Sequence, residues 1–159
     1  PPSEEAALNA LDHYPCTLIE SHGNPRALLP NSDVPDRHLS DEVIELIAQH
    51  DGVIGIVPFN RFLRSGWQRG DGREDLSTDD IANHIDYVCQ LLGDAAHVGI
   101  GSDFDGGFGL DSVPSDLDSV ADLRLIGGAL SARGYSSSDV EAILGGNWLS
   151  ILRRALPER

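Results

Sequence analysis

Apolar residues recur along this chain in short blocks whose period alternates between that of a helix and that of a buried strand. "EEAALNAL" places Ala7, Leu8 and Leu11 on one face behind Ser3, a serine positioned to cap a first helix with Glu4 and Glu5 in its opening turn. "CTLIES", Cys16 to Ser21, reads as a buried strand. Ser40 then precedes "DEVIELIAQH", where Val43, Ile44, Leu46 and Ile47 fall at helical spacing. "GVIGIVPF" is apolar on consecutive positions, which is the habit of a strand covered on both faces in a parallel sheet. Ser77 opens the next helix, with Ile81, Ile85, Val88 and Leu92 inward and Gly93 at its end. "HVGIGSD" predicts a third strand. Helices follow around Asp118 to Ala132 and from Ser138 to Leu156, the second broken near Gly145 and Gly146.

The connectors are unequal. Residues 23–37 hold Pro25, Pro30 and Pro35 and show no apolar period, so they form a loop that is long for a simple link. "NRFLRSGWQRGDGRED" is a second polar loop, and "GSDFDGGFG" a third, rich in glycine. Each follows the C-terminal end of a predicted strand, the edge at which α/β folds assemble sites. His22, Phe59 with Asn60, and Asp103 would share that edge. Three strands are too few to close a barrel, so the pattern predicts part of a larger α/β unit.

Composition narrows the chemistry. The 159 residues are 40% hydrophobic, enough for one folded domain. The net charge of -15 repels phosphate backbones and anionic membranes, which argues against a nucleic-acid partner. All basic residues are arginine, so no lysine is present for a Schiff base or a P-loop. Cys16 and Cys89 lack the paired spacing of a zinc knuckle and are expected to be buried free thiols. No apolar run reaches the roughly 18 residues of a membrane span, and with no targeting signal in view a cytoplasmic location is expected.

Asp103 and Asp105 stand where a hydrophobic strand runs into glycines, and a carboxylate in that position asks for a cation or for hydrogen-bond donors. A calcium loop fits poorly, because Gly107 occupies the place of a third oxygen ligand. A dinucleotide loop lacks its third glycine, and a serine-hydrolase elbow fails at Ile100. His22, just after a strand and just before Gly23, suits a metal ligand, a general base or a loop-bonded histidine. His84 and Asp86 lie two apart on a helix and do not share a face, so both are expected to pack or cap. Arg37, just ahead of a helix, is either a surface arginine or a fork for a carboxylate.

In order and over nearly the whole chain, "SHGNPRAL", "RHLSDE", "GVIGI" with "PF", "HIDYV", "HVGIGSDFDGG" and "GGNWLSIL" resemble the C-terminal half of the membrane (renal) dipeptidase family of zinc peptidases. The resemblance implies a partial (β/α)8 TIM barrel, about strands six to eight with their helices, spanning residues 1–159 as a single unit. It implies hydrolysis of dipeptides at a binuclear Zn2+ centre, with His22 as a zinc ligand and Asp103 as the proton shuttle beside the metals. Arg37 matches the receptor for the substrate's terminal carboxylate, although the loop before it carries extra residues here. Ser21, Asn24 and Asp105 match supporting positions around the centre. The family's remaining metal ligands would fall before Pro1 or align at about Pro1. One histidine and one aspartate cannot hold two zinc ions, so the chain alone is expected to be inactive and to need an N-terminal half or a second chain. Other expectations are an amidase or lactonase of the same metal-dependent type, and a non-catalytic half that self-associates through its sheet edge as a homo-oligomer.

Overall fold

The computed structural model describes residues 4–13 and 16–156; the expected cap at Ser3 and the side chains of Ala7 and Leu11 lie outside what it describes. The fold is mixed α/β with parallel strands. Helix α1 (Glu4–His13) is tied to the loop that follows by an ion pair between Glu4 and Arg26 at 2.8 Å. Strands β1 (Asn24–Pro25) and β2 (His38–Leu39) pair in parallel, with Asn24 opposite His38. Helix α2 (Asp41–Gln49) starts where Ser40 accepts a hydrogen bond from the Val43 amide. The central strands β3 (Ile54–Ile56) and β4 (Val98–Ile100) also pair in parallel, Gly55 opposite Gly99.

Between them lie α3 (Asn60–Leu63) and α4 (Thr78–Leu92). A reciprocal Ser77–Asp80 box opens α4, and Gly93, in the left-handed region at φ 80°, closes it. The C-terminal region forms α5 (Leu125–Ala132), α6 (Ser137–Glu141) and α7 (Asn147–Ala155). A wide turn at residues 142–146 separates the last two, and Gly145 leaves helical geometry there, as the sequence led us to expect.

The core forms where the apolar faces meet. Ile54, Ile56 and Val98 of the central strands are buried against Ile44 of α2, Ile81 and Ile85 of α4, and Ile126 and Leu130 of α5. Each such side chain contributes roughly 1.5–3 kcal/mol relative to exposure. Among the described residues, no helix is long and apolar enough to cross a membrane.

Two expectations need correction. The segment 16–21 is not a buried strand: it makes one parallel bridge, Glu20 to Ile54, and Ile19 is 51% exposed. It runs along β3 through hydrogen bonds from Glu20 N to Val53 O and from Gly55 N to Glu20 O, but no described strand pairs with its outer side. A strand's burial depends on its neighbours, and among the described residues this segment has a neighbour on one side only. Cys16, in the same segment, is consequently exposed, whereas Cys89 is buried as expected; both are free thiols. The segment also leans over the sheet. The Ser21 carbonyl oxygen lies 2.0 Å from where a Cβ on Gly101 would stand, so only glycine admits this approach.

His38 and His84 are 2% exposed, and burial pushes each imidazole down to about 4. His84 bonds through Nε2 to the Leu63 carbonyl and serves packing, in keeping with the reading of its sequence position. The unfolded chain binds protons at these histidines from about pH 6.5 downward, whereas the folded chain resists until about pH 4. Stability is therefore full above about pH 6.5 and falls as the pH drops toward 4, by roughly 2–3 kcal/mol for each histidine. Urea unfolding at pH 7 and pH 4.5 checks this; a His84→Gln chain should show a flatter dependence.

Candidate functional site

The site lies at the ends of β3 and β4, where the three long loops converge. His22 and Asp103 meet there. His22 Nε2 lies 3.8 Å from Asp103 Oδ1, and the two side chains are 39% and 37% exposed. Ser21 Oγ bonds His22 Nδ1 at 2.7 Å, which fixes the ring's orientation and leaves Nε2 toward the carboxylate. The His22 amide donates to Glu20 Oε1 at 3.3 Å.

Among the described residues, Asp103 is one of two non-glycine residues with positive φ, at 48°. That conformation turns the chain sharply just beyond β4, and aspartate tolerates it better than most residues. The turn is closed by a hydrogen bond from Gly106 N to Asp103 O at 2.8 Å. A Cβ at Gly106 would sit 2.6 Å from the Asp103 carboxyl carbon, so the glycine lets the loop fold back against the acid. Asp105 is exposed, with no hydrogen-bond or ion-pair partner among the described residues.

Asn24 is fully buried and works as a staple. Its Nδ2 donates to Val57 O at 3.2 Å and Phe62 O at 3.0 Å, and its Oδ1 accepts from Val57 N at 3.0 Å. It thereby ties the segment just after His22 to the end of β3 and to α3. Asn60, also fully buried, donates to Val113 O at 3.2 Å and joins α3 to the loop beyond Asp103.

A cavity of about 410 Å³ opens beside Asp103, walled by Arg37, Phe59, Phe62, Trp67 and Phe108. Three arginines face it, and they are not equivalent. Arg61 is paired with Asp33, whose carboxyl it holds below the usual carboxylate range, and Arg69 is paired with Asp111 at 3.5 Å. Arg37 makes no ion pair among the described residues; its guanidinium lies 5.6 Å from the centre of the Phe62 ring. Arg37 therefore combines exposure, a fixed aromatic shelf and an unmatched charge. Those properties suit a carboxylate-bearing ligand.

The structure thus brings His22, Ser21, Asp103 and Arg37 to one mouth. It places Asn24 beneath them as an anchor and leaves Asp105 at the surface. Of the aromatic wall, Phe59 is the member that the sequence reading placed at this edge; Phe62, Trp67 and Phe108 were not singled out. The signal for two of these was Phe62 and Trp67 standing in a polar loop just after Phe59.

These residues do not by themselves fit a two-metal centre. Among the described residues, no group of three His, Cys, Asp or Glu side chains is placed to hold a metal ion. His22 and Asp103 are two donors, and a catalytic zinc generally takes three protein ligands.

A family model described as membrane dipeptidase (Peptidase family M19) matches residues 2–157. An uncharacterized protein in the pqqA 5' region of Klebsiella pneumoniae is 35% identical over 153 residues, covering 95% of this chain and 51% of that protein. Dipeptidase aclJ of Aspergillus oryzae is 33% identical over 135 residues, covering 85% of this chain and 29% of its own length. A metallo peptidase from Rhodobacter sphaeroides, solved with a phosphinate mimic of the dipeptide L-Ala-D-Ala, superposes with a TM-score of 0.80 at 27% identity. That match covers 96% of this chain and 40% of the other. The chain spans about half the length, or less, of the relatives it matches.

Proposed function

The chain belongs to the membrane dipeptidase family, peptidase family M19, and from that premise we propose that it supplies the carboxylate-binding and proton-handling part of a metal-dependent dipeptidase site within a (β/α)8 barrel. One observation carries the proposal: Arg37, the pocket arginine without a carboxylate partner, shares its cavity with Asp103, and Asp103 faces His22 at 3.8 Å. A dipeptide presents a free carboxylate a fixed distance from its single peptide bond. A receptor for that carboxylate beside a general acid/base is the arrangement that would tell dipeptides from longer chains.

Each residue then has a defined task. Arg37 holds the terminal carboxylate. Asp103 accepts a proton from the attacking water and returns it to the leaving amine. His22, held by Ser21, is offered as a zinc ligand, and Asn24 fixes the segment that carries it. The family is one of metallopeptidases, and the remaining metal donors would come from outside the described residues. An amidase or lactonase asks for no carboxylate receptor, and Arg37 in the wall favours the dipeptide.

Binding tests this without requiring turnover. Ala-Ala is expected to bind about ten- to a hundredfold more tightly than Ala-Ala amide, the range of a charge-assisted pair. Arg37→Met should remove that preference. Equal affinity for the acid and the amide, followed by tryptophan fluorescence or NMR shifts, would contradict the assignment.

A further inference from the structure

The wall of this cavity is more specific than a carboxylate receptor requires. From Arg37 the surface passes to Phe62, then to Phe59 at 5.0 Å between ring centres, then to Phe108, stacked on Phe59 at 4.8 Å and 19°. Trp67 stands edge-on to Phe59 at 6.2 Å. These rings form a continuous apolar shelf that begins under the carboxylate receptor and runs to Phe108. Phe108 follows Gly106 and Gly107, which line the cavity together with Asp103. Phe59, Phe62 and Phe108 are only half-buried, so part of their surface is left for a ligand. The remaining arginines of the wall, Arg61 and Arg69, already hold Asp33 and Asp111. Among the described residues lining the cavity, no unmatched cation other than Arg37 is left for a second negative charge.

Resting on the carboxylate assignment above, we propose that the shelf receives the side chain of the residue that carries the free carboxylate. The cavity would then select dipeptides whose C-terminal residue is aromatic or large and apolar, with Phe108 as a specificity-determining residue. Once the carboxylate is on Arg37, the side chain leaves the same Cα and must lie within a few ångströms of the guanidinium, where the rings of Phe62 and Phe59 begin. An aromatic side chain laid on this shelf gains both area burial and ring contacts. An acidic one would meet paired arginines and the carboxylates that pair them. Cavities of this size are typical of small-ligand sites, and this one sets an aromatic wall beside polar groups that can fix a ligand's orientation.

The experiment compares Ala-Phe, Ala-Ala, Ala-Glu and Ala-Phe amide on the whole chain, read by tryptophan fluorescence and by NMR. Ala-Phe is expected to bind at least about tenfold more tightly than Ala-Ala, with Ala-Glu no tighter than Ala-Ala. Phe108→Ala should remove most of the Ala-Phe advantage while leaving Ala-Ala within about twofold. Phe108→Leu, which keeps the bulk and the fold but not the ring, should fall between. Equal binding of Ala-Phe and Ala-Ala, tightest binding of Ala-Glu, or binding of none of them at millimolar concentration would overturn the proposal. If the shelf is wrong but Arg37 is right, Ala-Phe still outbinds Ala-Phe amide. If the carboxylate assignment fails, acid and amide bind alike.

Discussion

Replacing Asn24 by alanine should destabilise the chain by about 3–5 kcal/mol, an unusually large loss for a residue in a loop. Asn24 is fully buried and satisfies three backbone groups on two other elements: Val57 N, Val57 O and Phe62 O. Alanine removes all three partners at once, and each buried backbone group left unsatisfied costs about 1–3 kcal/mol, in part relieved by entering water. The urea midpoint should fall without a large change in the slope. A loss under about 1 kcal/mol would contradict the staple. Asn24→Asp retains the bond from Val57 N but sets a negative charge against two carbonyls, so it should not rescue stability.

The consequence extends beyond the fold. Asn24 lies two residues after His22 and pairs, through β1 and β2, with the strand that begins just after Arg37. Its bonds to Val57 and Phe62 hold the same segment that presents Phe59 to the cavity. In an otherwise folded variant, loosening this point should blunt both ligand preferences expected above, that for a free carboxylate and that for an aromatic side chain.

How much of this was legible in the sequence varies with the range of the interactions. Helices α2 and α4 were legible because Ser40 and Ser77 cap them locally and their apolar faces repeat every turn. Strand β3 was legible as an uninterrupted hydrophobic block and β4 as the apolar alternation of "HVGIG" that runs into Asp103, although each ladder is shorter than its stretch. Residues 16–21 carried the same kind of signal and failed, since pairing and burial are decided by neighbours that a local pattern does not contain. Cys16 was misplaced for the same reason.

At the site, His22, Asp103 and Arg37 came from an ordered resemblance, and their meeting at one mouth came from the fold. The aromatic shelf depends on Phe108 returning to stack on Phe59, a contact between residues far apart in sequence that no window reveals. Asn24 was legible as a matching position, but its function as a buried staple was not, because its partners are backbone atoms of Val57 and Phe62.

The second large effect concerns metal and turnover. A dipeptidase centre with two metal ions needs several protein donors around each, and among the described residues His22 and Asp103 meet at the mouth without a third donor placed to share a metal ion. On the function proposed above, the chain holds the substrate-recognition part of the site, and the donors that would complete a two-metal centre are not gathered among the described residues. The most direct measurement is a zinc titration of the purified chain, followed by calorimetry, with hydrolysis of Ala-Phe assayed at each point. The predicted result is at most one weakly held zinc ion, lost in His22→Ala, and no hydrolysis above a protein-free control. Two zinc ions held at submicromolar concentration, with turnover of the dipeptide, would show instead that the chain completes the centre by itself.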